Sequence, residues 1–300
     1  MSAPDPAGSP RPAARLRALL AATRTEGPLV VPGAYDALSA RLVGQAGFDA
    51  VYMTGFGTSA ALLGGPDVGL LTGTEMVDNA RRIAAAVDLP VIADADTGYG
   101  NALNVHRTVR LYEQAGVAGI QLEDQVTPKR CGHMSGKQVV ALPEMLGKLR
   151  AAVDARQDPD TVIIARTDAV AVDGVDAAID RARAFSDAGA DVLFVEAPTS
   201  ERDIERIASA LAGTAPLLFN WAEGGRTPPL PLDRIAELGF AVVLCPIGTL
   251  LAATAGIRAL LATLRRQGTP ADALAGLPTF DEFTDIVGLP EVRAAEQRYA

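Results

Sequence analysis

Three hundred residues with 49% apolar and 21% charged side chains fit one large α/β barrel or two smaller domains, and are too apolar for a disordered chain. The net charge of −9, with no basic cluster beyond a few residues, excludes nucleic acid as the natural partner and suits a protein that binds cations. Two cysteines give neither a disulfide framework nor zinc spacing, and no apolar run approaches a membrane span or a signal segment. A cytoplasmic protein without membrane partner is therefore expected.

Residues 1–10, rich in Pro, Gly and Ser, are expected to be disordered, and 11–25 to form an amphipathic helix that lids the bottom of a barrel. Eight apolar runs then read as strands: LVVPG (29–33), AVYMTG (50–55), PVIADAD (90–96), AGIQLEDQ (118–125), VIIARTD (162–168), DVLFVEA (191–197), PLLFNWA (216–222) and AVVLCPIG (241–248). Helical segments lie between them at 36–45, 74–86, 104–114, 144–155, 175–187 and 200–211. QAGFDAVYM, QAGVAGIQL, DAGADVLFV and ELGFAVVLC repeat one pattern, in which Gly47, Gly116, Gly189 and Gly239 end a helix just before a strand. Pro90 and Pro216 open two other strands, where a missing N–H is tolerated. Eight such units predict a (β/α)8 barrel over residues 11–267, with 249–267 as the helix of the eighth. An open doubly wound sheet is the rival, but VVPGAYD is not its glycine-rich turn. Residues 268–300 form a helical extension that packs on, or swaps with, a neighbouring subunit.

In a barrel the C-terminal strand ends face one mouth, which gathers Tyr52, Thr54, Gly55, Asp94, Asp96, Glu123, Arg166, Asp168, Glu196 and Asn220. Asp94, Asp96 and Glu123 would repel one another unless a divalent cation or shared protons offset their charge, and Mg²⁺ is the natural reading. A single acid after a strand commonly caps a helix or turn, so the reading rests on all three together. Cys131 stands between Lys129, Arg130 and His133 in a glycine-bearing loop, surroundings that favour thiolate over thiol, whereas Cys245 falls within a buried strand.

PGAYDALSARL, VYMTG, DADTGYGN, EDQ followed by PKRCGH, IARTDA and FVEA together resemble the isocitrate lyase/phosphoenolpyruvate mutase superfamily from about Val30 to Gln267. Its small members are Mg²⁺-dependent barrels (Mn²⁺ substituting), usually homotetramers with an exchanged C-terminal helix. The resemblance implies that Asp94 and Asp96, with Glu123 in the same shell, hold Mg²⁺ largely through water. It implies that Thr54, Gly55 and Phe56 bind the substrate's α-carboxylate, that Cys131, Gly132 and His133 lie on a mobile gating loop with Cys131 as proton donor, and that Arg166, Glu196 and Asn220 hold the departing acid. Leu251 and Phe280 stand where methylisocitrate lyases place two carboxylate-binding arginines, so a smaller diacid is the expected substrate.

The chemistry so implied is carbon–carbon cleavage of a 2-hydroxy or hydrated 2-oxo diacid. Tyr52, with Arg166 nearby, is the candidate base; Arg166, His133 and Asn220 steady the developing charge, and Cys131 protonates the carbanion. The alternative is a phosphonomutase acting on a P–C bond, which shares the MTG, YGN, KRCGH and EGG pieces (Glu223-Gly224-Gly225 here) but has His at the position of Tyr52. Methylisocitrate cleavage and a non-catalytic binding barrel rank lower, the latter because the acids and KRCGH are intact.

Overall fold

The computed structural model describes residues 10–300; of the segment expected to be disordered, all but the exposed Pro10 lie outside the described residues. Strands β1 (Leu29–Ala34), β2 (Val51–Met53), β3 (Val91–Asp94), β4 (Gly119–Glu123), β5 (Val162–Thr167), β6 (Val192–Val195), β7 (Leu217–Asn220) and β8 (Val242–Cys245) close into a parallel barrel in chain order. Leu29–Pro32 of β1 register against Val242–Cys245 of β8 and complete the circle. Around the strands run α1 (Pro12–Glu26), α2 (Ala37–Gln45), α3 (Gly55–Leu63), α4 (Gly73–Ala86), α5 (Ala102–Gln114), α6 (Leu142–Ala155), α7 (Val170–Asp173), α8 (Val175–Asp187), α9 (Glu201–Leu211), α10 (Leu232–Glu237) and α11 (Gly248–Gln267). A 3-10 turn (Ala271–Gly276), α12 (Phe280–Ile286) and α13 (Leu289–Tyr299) follow.

The helix-ending glycines all adopt φ between 83° and 98°, where a side chain would be strained. The amphipathic logic is plainest in α9, whose Ile204, Ile207, Ala208 and Leu211 repeat at helical spacing and are all buried against the barrel. Each such large apolar side chain contributes about 1.5–3 kcal/mol by leaving water. At the opposite end from the site, α1 closes the barrel floor: fully buried Leu16 joins Val31, Ile92, Val162 and Val192 in one cluster. Gly119 makes room for it, since a Cβ there would stand 3.0 Å from Leu16 Cδ2. With the floor sealed, the strands' C-terminal ends form the open face.

Three helices were not legible in sequence. Helix α3 begins Gly-Phe-Gly, weak helix formers whose start is set instead by Thr54 as N-cap; α7 and α10 are too short to show a period. The eighth helix departs from expectation. Residues of α11 are helical as anticipated, but it buries none of its twenty residues, and Leu251, Ile257 and Leu261 are exposed along it. Its start is tethered to the barrel by Thr249, whose hydroxyl donates to Gly33 O at 2.7 Å, and the arm that follows touches α2 again where Gln45 Nε2 donates to Ile286 O at 3.3 Å. No helix among the described residues is long and apolar enough to cross a membrane.

Candidate active site

Asp94 ends β3, and the chain then turns through Asp96 at φ 46°, a left-handed conformation that costs a non-glycine residue about 1–3 kcal/mol. Neighbours hold the turn. Glu123 N–H donates to Asp96 O at 2.9 Å, Asp96 N–H to Asp94 Oδ1 at 3.0 Å, and the Tyr112 hydroxyl from α5 to Asp94 O at 3.0 Å. Gly55, first residue of α3, lets that helix start against the acid, because a Cβ there would lie 2.5 Å from Asp94 Oδ2. The N-terminus of α3, with its first N–H groups, therefore sits beside the acidic turn.

The acids are not left to a metal alone, which corrects the sequence reading. Buried Lys129 places Nζ 2.6 Å from Asp67 Oδ1 and 2.8 Å from Asp96 Oδ1, and Arg166 Nε is 3.4 Å from Glu123 Oε2. Burial alone would lower the Lys129 ammonium, but Asp96, Asp94 and Asp67 outweigh it and hold it well above its usual range. Burial lifts Asp96 to about 6 and Glu123 well above the usual carboxylate range, with Lys129 and Arg166 respectively pulling the other way.

The donor set still fits a divalent cation. Glu123 Oε1 is buried with no hydrogen-bond partner, and Asp96 Oδ1 faces Lys129 without hydrogen-bond alignment. Among the described residues no three His, Cys, Asp or Glu side chains converge to ligate one ion directly. Mg²⁺ keeps several waters and binds proteins through one or two carboxylates, so Asp94, with Asp96 and Glu123 behind it, suits a water-mediated shell. A metal ligand must be ionised. Calorimetric Mg²⁺ or Mn²⁺ affinity should thus fall roughly tenfold between pH 7.5 and 5.0 as a carboxyl titrating near 6 takes up its proton. Constant affinity over that range would exclude Asp96 from the shell.

Arg166, on β5, anchors the opposite wall. It donates to Asp168 through two bonds of 2.9 and 3.0 Å, approaches Glu196 to 3.9 Å and stacks on the Phe194 ring with Cζ 5.1 Å from the centroid. Burial would raise Asp168, but Arg166 and then Lys137 override it and bring the carboxyl to about 2. Glu196 likewise falls below its usual value, as Arg166 and His133 outweigh burial. Asn220 donates to Glu196 Oε2 at 3.1 Å while its own Oδ1 is buried and unpartnered. His133 Nδ1 accepts the Arg226 N–H at 3.0 Å, which leaves the ring proton on Nε2; that atom lies 3.0 Å from Glu196 Oε1 but out of line for a hydrogen bond.

Cys131 is a thiol, not the thiolate its sequence neighbours imply. Lys129 points into the acids and Arg130 donates to Ser135 O at 3.2 Å, so neither cation serves the sulfur. Burial pushes the thiol above its ordinary range, against the opposing pull of the His133 N–H. The loop rests on the site: Cys131 N–H donates to Asp67 O at 3.1 Å, and Gly132 leaves no space for a Cβ between itself, Arg166 and Glu196. Cys245, half-buried at the end of β8 rather than fully buried, is pushed up to about 11 by burial, with Glu223 adding to it.

These walls enclose a cavity of about 230 Å³. Tyr52, Thr54, Phe56, Asp94, Cys131, Gly132, His133, Arg166, Glu196 and Asn220 line it, whereas Gly55, Asp96 and Glu123 stand behind its wall. Asp67, Phe194 and Ile247 line it too, and sequence reasoning gave none of them a place in the site; Lys129 lines it as well, but as the partner of the acids and not of the Cys131 sulfur. Asp67 lies in a GGPDVGL loop that carries no strand or helix signal. Tyr52 does not suit the base role: its hydroxyl donates to Gln121 Oε1 at 3.1 Å, and burial, with Asp94 next, pushes the phenol well above its usual value. Leu251 and Phe280 do not reach the cavity of their own chain; they are 47% and 81% exposed on α11 and α12.

A family model, phosphoenolpyruvate phosphomutase, matches residues 16–265. The chain belongs to the isocitrate lyase/phosphoenolpyruvate mutase superfamily. Within the superfamily, a 2,3-dimethylmalate lyase of Eubacterium barkeri is 50% identical over 288 residues, spanning 96% of this chain and 98% of that one. A chloroplastic carboxyvinyl-carboxyphosphonate phosphorylmutase of Arabidopsis thaliana is 44% identical over 279 residues, 92% of this chain and 82% of its own. The crystal structure of a 2,3-dimethylmalate lyase superposes with a TM-score of 0.90 at 40% identity, covering 98% of this chain and 97% of that one.

Proposed function

We propose that this superfamily member is a Mg²⁺-dependent carbon–carbon lyase that splits a 2-hydroxy or hydrated 2-oxo diacid into a 2-oxo acid and a carboxylate. The observation that carries the reading is the placement of the half-buried Cys131 thiol in the same small cavity as Asp94 and Arg166. A lyase needs a proton for the carbanion it releases, and a thiol kept neutral near pH 7 carries one. The likeness to dimethylmalate lyase over nearly the whole chain supports the same chemistry.

Asp94, with Asp96 and Glu123 through water, would hold Mg²⁺ or Mn²⁺, which supplies a Lewis acid that polarises the substrate's 2-oxygen. Thr54 and the Phe56 N–H receive the adjacent carboxylate at the start of α3, with Gly55 behind them. Tyr52 stays neutral, its O–H given to Gln121, and lines the cavity. As the 2-hydroxyl gives its proton to a water in the cavity and the C2–C3 electron pair passes to C3, Arg166, His133 and Asn220 steady the second carboxylate and the Cys131 Sγ–H proton goes to C3; the proton released from the hydroxyl restores the thiol, so none is consumed overall. The closed loop keeps bulk water from competing.

The cavity's cations set the substrate's size. Lys129 is matched by Asp67 and Asp96, Arg166 serves Asp168 and the second carboxylate, and Arg130 is turned to Ser135, so a third substrate carboxylate would lack a partner. An unpaired buried charge costs about 3 kcal/mol or more, so kcat/KM for 2-methylisocitrate should lie at least roughly 100-fold below that for the best C4–C6 diacid. A purified-enzyme screen for 2-oxo acid release decides this; a tricarboxylate turned over as well as any diacid would overturn the assignment. We further read the protein as a cytoplasmic homotetramer that exchanges its arm, supported by the two unpaired cysteines and by an α11 that buries nothing within its own chain.

A further inference from the structure

Lys137 lines neither the cavity nor the acidic turn, yet its side chain is 1% exposed. Its ammonium donates to Gly132 O and, at 2.7 Å, to Asp168 Oδ1. A lysine is held so deep only where its charge is answered and its donors are used. Both of its partners matter. Gly132 is the residue of the loop that presses on Arg166 and Glu196, and Asp168 is the carboxylate that takes Arg166 through two bonds, sharing Oδ1 between Arg166 and Lys137.

The Asp168 end of this bridge is anchored. Asp124 Oδ1 accepts the Asp168 N–H at 2.9 Å, and Asp124 is itself fixed by the Thr167 hydroxyl at 2.7 Å and Arg181 at 3.1 Å. The Gly132 end belongs to the loop that carries Cys131 and His133. Lys137 therefore joins a loop to a rigid strand end, and does so at the oxygen that also orients Arg166. Charge balance alone does not explain the geometry, because an ammonium needing only Asp168 would not have to reach back five residues to its own loop's carbonyl.

We propose that Lys137 is a latch: a positioning residue that locks the loop of residues 129–137 over the cavity, so that one contact both buries the Cys131 thiol and completes the alignment of Arg166. The inference rests on the role given to Cys131 and Arg166 in the lyase reading. Its test does not need turnover, so the two can fail separately.

The rate of Cys131 alkylation by iodoacetamide at pH 8.5 is measured in the full-length Cys245→Ser chain, with and without Lys137→Met. Loss of a nearby cation would by itself disfavour the thiolate, so acceleration reports exposure. Lys137→Met should speed alkylation at least tenfold, while Cys245 in a Cys131→Ser background reacts at an unchanged rate. With a substrate in hand, kcat should fall at least tenfold with KM moving less, and Lys137→Arg should recover part of it. Should Lys137→Met fail to fold, Lys137→Gln, which keeps a donor for Gly132 O, is read the same way with a smaller acceleration. Unchanged Cys131 reactivity, or equal acceleration of both cysteines, would overturn the latch in favour of plain structural packing.

Discussion

Arg166→Met should remove a large share of the protein's stability together with its activity. Methionine fills similar space but leaves Glu123, Asp168 and Glu196, whose side chains are 2% exposed or less, facing one another with Lys137 as the remaining counter-charge. Removing one partner from a buried charge cluster costs about 3–5 kcal/mol, a large share of the roughly 5–15 kcal/mol that holds a domain together. Urea unfolding at pH 7.5 should show the midpoint falling accordingly. The pH dependence gives the sign. Asp168 titrates near 2 in the fold against an ordinary 3.8, so its contribution is complete above about 3.8 and lost as pH falls toward 2. The gap between wild type and variant should therefore narrow below about pH 4. A variant as stable as wild type at pH 7.5 would show that the three carboxylates are neutralised by other means.

The second large effect is on chemistry alone. Cys131→Ser should lower kcat by roughly 10²–10⁴, the range for a lost general acid, while metal affinity and thermal midpoint stay put. A mutase transferring phosphorus between carbon and oxygen has no carbanion to quench, so its loop cysteine would matter only for closure. Because burial lifts the thiol, a basic limb of the pH–rate profile that reports its loss of proton should lie above the ordinary thiol range and vanish in the variant. Near-wild-type cleavage of every carbon–carbon substrate by Cys131→Ser would remove the proton-donor role and bring the phosphonomutase forward.

Strand positions were legible because parallel strands buried on both faces are short apolar runs, and Gly47, Gly116, Gly189 and Gly239 mark where four of them begin. The strand-end residues could be collected for the same reason, since topology alone turns Asp94, Arg166, Glu196 and Asn220 to one face. Side-chain direction within a loop was not legible. Lys129 and Arg130 flank Cys131 in sequence, yet one points into Asp67 and Asp96 and the other to Ser135, so adjacency gave the wrong protonation state for the sulfur. Partners far apart in the chain, Asp67 with Lys129 and Lys137 with Asp168, leave no periodic trace. The exposure of Leu251 was hidden for a related reason: α11 has an ordinary helical sequence, and nothing in it says that its apolar side chains will stay exposed.

The carbon–carbon lyase assignment is tested most directly by incubating the Mg²⁺-loaded protein with 2,3-dimethylmalate in D₂O and following both products by NMR. The account expects equal amounts of pyruvate and propionate, one deuterium at C2 of the propionate, and no reaction in excess EDTA. An unaltered diacid, alongside interconversion of phosphonopyruvate and phosphoenolpyruvate by the same preparation, would contradict it.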